Sequence, residues 1–343
     1  MFNFFIQNTH QKFSIMTEFK ATEDARLLHD GRDSMYRESD KYRSSFINCK
    51  TGLLDKKYLC NRVCPTCGAS ENRELFVKNG GTYVACNSCD MVFLNPVFTD
   101  KALTLYYQNN NSCQAQAHIS ESDFYCRIYN AGLNQICRFI KTGNLLDIGC
   151  SGGFFLDIAS DNYRTHGIEL NFSEAAIARS KGHHIWEQSV DSLNFEDKDK
   201  FDVITLWDVF EHIKDGNCFL LNLKDKLRTG GVIFLQVPNV GSLAARVMKD
   251  KCNMFDGLEH VNLYNPKTIS ALAENAGYNV LYIESIIDEL KPVLNYLRYE
   301  DPYKGSFGEL IDFDFLTPNL ISSRLLGYKL QVILAKKNNA QLL

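Results

Sequence analysis

The stretch Leu145–Ala159, LLDIGCSGGFFLDIA, packs an apolar strand, three glycines and an immediate return to apolar residues at helical spacing into one short segment. A strand that ends in Asp147-Ile148-Gly149-Cys150-Ser151-Gly152-Gly153 has to bend sharply. Glycines permit that bend and let a ligand approach the backbone closely. The segment predicts a strand, a tight turn and a helix, with a nucleotide-like cofactor at the turn.

Three cofactor readings compete. A phosphate-cradling loop needs G-x-x-x-x-G-K-[ST], and no Lys-Ser or Lys-Thr pair follows these glycines. A dinucleotide turn needs G-x-G-x-x-G, but Ser151 stands two positions after Gly149, which weakens that reading. S-adenosylmethionine remains: it has no phosphates, and an Asp with backbone groups at the turn can hold its amino-acid moiety.

Outward from the turn, strand-like and helix-like runs alternate. NLLDIG, THGIEL, HHIWEQ, FDVITLW, GGVIFLQVP, YNVLYIES and YKLQVILAKK read as strands, with helical stretches such as SEAAIARSKG after most of the first five. This predicts an α/β protein with a doubly wound, mostly parallel sheet of seven strands, the last two as an antiparallel edge. The expected divisions are a loose polar leader (1–55), a cysteine-bearing unit (56–97), a helical connector or lid (98–141) and the cofactor-binding domain (142–343).

The 343 residues are 45% hydrophobic and 23% charged, ordinary for a soluble globular chain. A formal net charge of −4 argues against a surface built mainly to hold nucleic acid by its phosphates. No apolar run reaches the length of a membrane span, and MFNFFIQ lacks the flanks of a signal peptide, so a cytoplasmic protein is expected.

The motifs, taken in order, resemble those of class I S-adenosylmethionine-dependent methyltransferases, which have a Rossmann-like fold. LLDIGCSGGFFL is similar to that family's first motif, HGIELN to its second strand, FDVITLWDVFEHIKD to its fourth-strand motif, and LKDKLRTGGVIFLQVPN to its Gly-Gly turn and fifth strand. The likeness runs over residues 141 to 340. It implies that Asp147, Gly149, Cys150, Ser151 and Gly153 line the cofactor turn and that Glu169, next to Leu170, grips the ribose hydroxyls. It also implies that Asp191 and Ser192 meet the adenine, and that Trp207 and Asp208 close the site. Ser151 departs from the pattern, where the family usually has glycine.

Of twelve cysteines only four are patterned: Cys64, Cys67, Cys86 and Cys89 form two C-x-x-C pairs. That spacing predicts a zinc ribbon, in which two turns present four thiolates to a tetrahedral ion. A closed four-thiolate site leaves no open position, so its zinc is expected to be structural. The segment through CDMVFLNP also resembles the zinc-binding leader of some methyltransferases that modify sugars in polysaccharide or antibiotic pathways.

For chemistry, Asp208-Val209-Phe210-Glu211-His212 follows the fourth strand, and Glu259-His260 lies beyond the fifth. Open α/β sheets place reactive groups at these strand ends. The set Asp208, Glu211, His212 and His260 resembles the acid-x-x-Glu-His and distant His of metal-dependent methyltransferases acting on vicinal hydroxyls. That implies Mg²⁺ or Mn²⁺, with Asp208 standing where those enzymes carry a longer Glu. The plainer reading makes His212 or His260 a general base. The leading expectation is a methyltransferase for a small polar acceptor, such as a sugar-linked hydroxyl. The rivals are RNA methylation, a metal-dependent O-methyltransferase of a vicinal diol, and a zinc-stapled interaction module without catalysis.

Overall fold

The computed structural model describes residues 42–109, 118–119, 121–297 and 315–337. The leader up to residue 41 and most of the polar loop 108–116 lie outside the described residues.

Five short strands come first: β1 (Leu59–Cys60), β2 (Asn72–Lys78), β3 (Gly81–Cys86), β4 (Val92–Leu94) and β5 (Val97–Phe98). Helices α1 (Asp100–Asn109) and α2 (Ser122–Cys137) follow. The alternating part then runs β6 (Gly143–Ile148), α3 (Phe154–Ala159), β7 (Tyr163–Ile168), α4 (Phe172–Ser180), β8 (His184–Trp186), β9 (Phe201–Trp207), α5 (Gly216–Leu223) and β10 (Leu227–Pro238). It closes with α6 (Leu243–Met248), β11 (Asn262–Leu263), α7 (Pro266–Asn275), β12 (Tyr278–Ile286) and, at its end, β13 (Lys329–Lys336). Each of the seven segments read as strands forms one.

These seven make a single sheet in the order β12-β13-β10-β9-β6-β7-β8. Neighbours from β10 to β8 pair in parallel, whereas β13 is antiparallel to both β10 and β12. The sheet is therefore mixed, and the last two strands form its antiparallel end as expected, with β12 outermost and β13 inside it. The physical reason is legible in Leu330-Gln331-Val332-Ile333-Leu334, all fully buried. A run without polar alternation marks a strand covered on both faces, which an edge does not provide.

Side chains of period two divide between two cores. Leu145, Val203, Phe234 and Ile333 meet Ile128, Leu133 and Ile136 of α2, Phe155 and Leu156 of α3, and Ala175 and Ala178 of α4. Leu146, Ile204, Leu206, Ile233 and Leu235 meet Phe219, Leu220 and Leu223 of α5 and Ile269 and Leu272 of α7. Helices start where side chains cap them. Asn171 accepts from the Ser173 and Glu174 amides, and Asn265 forms a capping box with Thr268 ahead of Pro266.

The cysteine-bearing unit is built into this body. Its antiparallel sheet has the order β11-β4-β3-β2, so β11, contributed from beyond β10, completes it. Cys64, Val84, Cys86, Met91 and Phe93 belong to the same core as α5 and α7. Phe46 and Leu54, inside the stretch expected to be loose, are buried against Phe98, Tyr106 and Leu258.

Candidate functional site

The glycine turn joins β6 to α3. Gly149, Ser151 and Gly153 have φ of 77°, 49° and 78°, left-handed values that glycine adopts without penalty and serine does not. A Cβ on Gly149 would stand 2.6 Å from Val209 Cγ2, so the Gly149 backbone packs directly against a side chain of the loop after β9. Ser151 is kept in its conformation by contacts: its hydroxyl donates to Glu174 Oε2 and its amide to Glu169 Oε2.

Glu169, at the end of β7, thus lies against the turn. Its other oxygen accepts the Asn171 amide at 2.7 Å. Burial pushes its carboxyl upward, and those backbone donors pull it part of the way back. Leu170 and Phe172 beside it are exposed, at 62% and 72%, large apolar side chains left in the open next to a polar grip. Asp147 is buried, accepts the Thr205 hydroxyl at 2.7 Å, and has its carboxyl raised to about 8 by burial.

Asp191 and Ser192 sit in a short turn after β8. Asp191 accepts from Asn222 Nδ2 at 3.0 Å, and Ser192 donates to the Ser189 carbonyl. The Cys150 side chain points away from the turn, since a Cβ on Gly167 of β7 would meet its Sγ at 2.5 Å. Cys150 therefore offers its backbone there. The Trp207 ring packs among Tyr129, Phe155 and Phe234, with Nε1 buried and lacking a partner among the described residues.

After β9 the chain makes a single 3-10 turn, Phe210–His212, that carries Glu211 and His212. His260 arrives from the loop between α6 and β11. Donor atoms of Glu211, His212 and His260 all lie within 4.8 Å of one another, and the two imidazoles meet edge to face at 5.0 Å between centroids. His260 Nδ1–H donates to the Met254 carbonyl at 2.7 Å, which turns Nε2 toward the cluster side of the ring. Both Glu211 carboxylate oxygens and His212 Nδ1 are buried without a partner among the described residues.

The electrostatics follow from that burial. Glu211 is pushed up to about 8 by desolvation and then by Asp208, and His212 is lowered to about 4 by desolvation and then by His260. For His260, desolvation is outweighed by the charges of Asp256 and Glu211, and its pKa rises.

Asp208 is not part of this cluster. With φ of 53° it turns Oδ2 to Gln236 Nε2 at 3.0 Å and to the Lys329 ammonium. Lys329, Gln236 and Asp256 were not singled out from the sequence. Asp256 had a local signal: in Asp256-Gly257-Leu258-Glu259-His260 its carboxylate accepts the amides of residues 258, 259 and 260, a turn that Asp-Gly favours.

The four knuckle cysteines gather at one end of the smaller sheet, with Sγ–Sγ distances of 3.5 Å for Cys64–Cys89 and for Cys67–Cys86. The two turns are twins. In each, the first cysteine's carbonyl accepts an amide four residues on, Gly68 or Asp90, and its amide donates to the carbonyl five on, Ala69 or Met91. Gly68 and Asp90 both have positive φ. The Ser88 amide also points at Cys86 Sγ. Burial would raise the Cys86 thiol, and the Ser88 and Cys89 amides together with the neighbouring Cys67 and Cys64 thiols hold it down at about 7.

Residues 123–283 match the family model described as a methyltransferase domain. A ubiquinone biosynthesis O-methyltransferase of Pasteurella multocida is 28% identical over 36% of this chain and 55% of its own length. An enzyme of the same name from Coxiella burnetii is 25% identical over 43% of this chain and 68% of its own. The chain thus spans about half the length of the first of these relatives. An S-adenosylmethionine-dependent methyltransferase from Clostridium acetobutylicum aligns over 66% of this chain and 99% of its own at 13% identity, with a TM-score of 0.43. Residues 123–283 are a class I S-adenosylmethionine-dependent methyltransferase domain. No described helix is long and apolar enough to cross a membrane.

Proposed function

We propose that the chain is an S-adenosylmethionine-dependent O-methyltransferase whose acceptor hydroxyl lies beside Glu211, His212 and His260. The glycine turn with Asp147 takes the methionine moiety, Glu169 the ribose diol, and Leu170, Asp191 and Ser192 the adenine. Trp207 and Asp208 border the methyl end. Oxygen as accepting atom is the chemistry in the names of the curated relatives. A sugar-linked acceptor rests on the resemblance of the cysteine segment alone, and those names lend it no support. The net charge of −4 disfavours RNA, and the acids Asp147, Glu169 and Asp191, all present, disfavour a module without catalysis.

The observation that carries the reading is Glu211. A carboxylate with both oxygens buried and unpartnered among the described residues, next to two imidazoles, calls for a positive partner. One carboxylate and two imidazoles suit a divalent cation such as Mn²⁺. Bound there, it would supply Lewis-acid activation of a hydroxyl. The protein's own groups orient the acceptor; in the alternative without a cation, His212, neutral at working pH, takes the hydroxyl proton as the new C–O bond forms.

Adding chelator to the enzyme working on a vicinal-diol acceptor tests the cation. Lost activity, restored by Mn²⁺ or Mg²⁺, supports it. Full activity in chelator excludes it and leaves His212 or His260 as base, where replacement by Ala lowers turnover about 10²- to 10⁴-fold.

The twin knuckles fit a structural zinc on Cys64, Cys67, Cys86 and Cys89. Metal analysis of Cys86→Ser is expected to show zinc well below one equivalent, and full occupancy would reject the assignment.

A further inference from the structure

Arg62 stands just ahead of the first knuckle, and its guanidinium reaches three separate elements. Nε donates to the Leu94 carbonyl of β4 at 3.2 Å. One terminal nitrogen donates to the Lys214 carbonyl at 3.0 Å, two residues after His212, and the other to the Val261 carbonyl at 2.9 Å, the residue after His260. That second nitrogen also meets Asn262 Oδ1. Asn262 is fully buried and donates to the Ile213 carbonyl at 2.6 Å. The segments trailing the two histidines are therefore joined through one planar fork, which a lysine ammonium cannot reproduce.

The rest of the unit grips the same loop. A Cβ on Gly81 would stand 2.0 Å from the Gly257 carbonyl oxygen, so the β2–β3 hairpin lies backbone to backbone on the His260 loop. Tyr83 Oη donates to the His260 carbonyl at 3.3 Å, and from α1, just beyond the unit, Tyr106 Oη donates to Glu259 Oε2 at 3.1 Å.

We propose that Arg62 is a positioning residue: it holds the segments behind His212 and His260 at a fixed separation, and through it the cysteine unit sets the geometry of the histidine pair. The proposal rests on reading Glu211, His212 and His260 as the working cluster. It gives the unit a task inside the enzyme, alignment of the acceptor side, which acceptor binding by the unit would not require.

The test uses full-length, zinc-loaded protein with Arg62→Lys. Zinc content and cofactor affinity are expected to stay as in wild type. The imidazole nitrogen resonances of His212 and His260, assigned with the two Ala variants, are expected to move while those of His166 stay in place. Unmoved His212 and His260 resonances overturn the proposal. If Arg62→Lys loses zinc or cofactor binding, Asn262→Ser carries the same comparison, and unmoved resonances there overturn the proposal equally. A Mn²⁺ titration read by electron spin resonance tests the underlying reading separately: wild type binds one ion that His212→Ala does not, and Arg62→Lys binds it about tenfold or more weakly. Absence of that ion in wild type defeats the cation reading and leaves the resonance shifts to decide positioning.

Discussion

Lys329, at the start of the last strand, closes an ion pair on Asp208, at the end of β9. The contact exists because β13 inserts beside β10, whose Gln236 shares the same carboxylate oxygen. Asp208 Oδ1 is buried without a partner among the described residues and lies near Glu211, whose carboxyl feels both Asp208 and Lys329. Replacing Lys329 with Met removes the ammonium and releases Asp208 toward the cluster. Mn²⁺ affinity is then expected to rise roughly threefold or more, since one opposing charge is lost. Unchanged affinity in a titration would show that Asp208 does not reach the ion.

Glu169→Gln keeps the shape of the side chain and removes its charge. Two charge-assisted hydrogen bonds to a ribose diol would become neutral ones, so S-adenosylmethionine affinity is expected to fall by on the order of 2 kcal/mol in calorimetry. Equal affinity in the variant would remove Glu169 from the cofactor site.

Ser151 separates backbone strain from hydrogen bonding. Both Ser151→Gly and Ser151→Ala lose the hydroxyl contact to Glu174, but only alanine keeps a Cβ at φ 49°. Ser151→Ala is expected to be the less stable by about 1 kcal/mol in denaturant unfolding. Equal stabilities would mean that the turn relaxes away from its left-handed conformation.

Asp147 gives a pH dependence with a definite sign. Its folded carboxyl is raised to about 8 from an ordinary 3.8, so the folded state holds this proton more tightly than the unfolded chain does. Its contribution to stability is full below about pH 4 and is lost as pH climbs to about 8. An asparagine in its place stays neutral and still accepts from Thr205. The cofactor-free Asp147→Asn protein is expected to gain several degrees in melting temperature at pH 8.5 and little at pH 4. A gain that does not vary with pH would show that Asp147 does not titrate in this range.

Local chemistry along the chain specified the glycine turn, the seven strand segments in their order, the acid at the end of β7 and the cysteine quartet. Each depends on neighbours a few positions away: period-two burial, positive-φ chemistry, or the reach of two thiolates across one turn. Even the place of β13 inside β12, within the antiparallel end formed by the last two strands, was written in its nearly unbroken apolar run. Folding had to supply the rest: that His212 and His260 meet, that Lys329 takes Asp208 out of their company, and that Arg62 joins the chain behind both histidines. These partners lie far apart along the chain, and no local period records them. They are brought together by the order in which the strands pair, and that order is settled by the burial of both faces of the whole sheet at once.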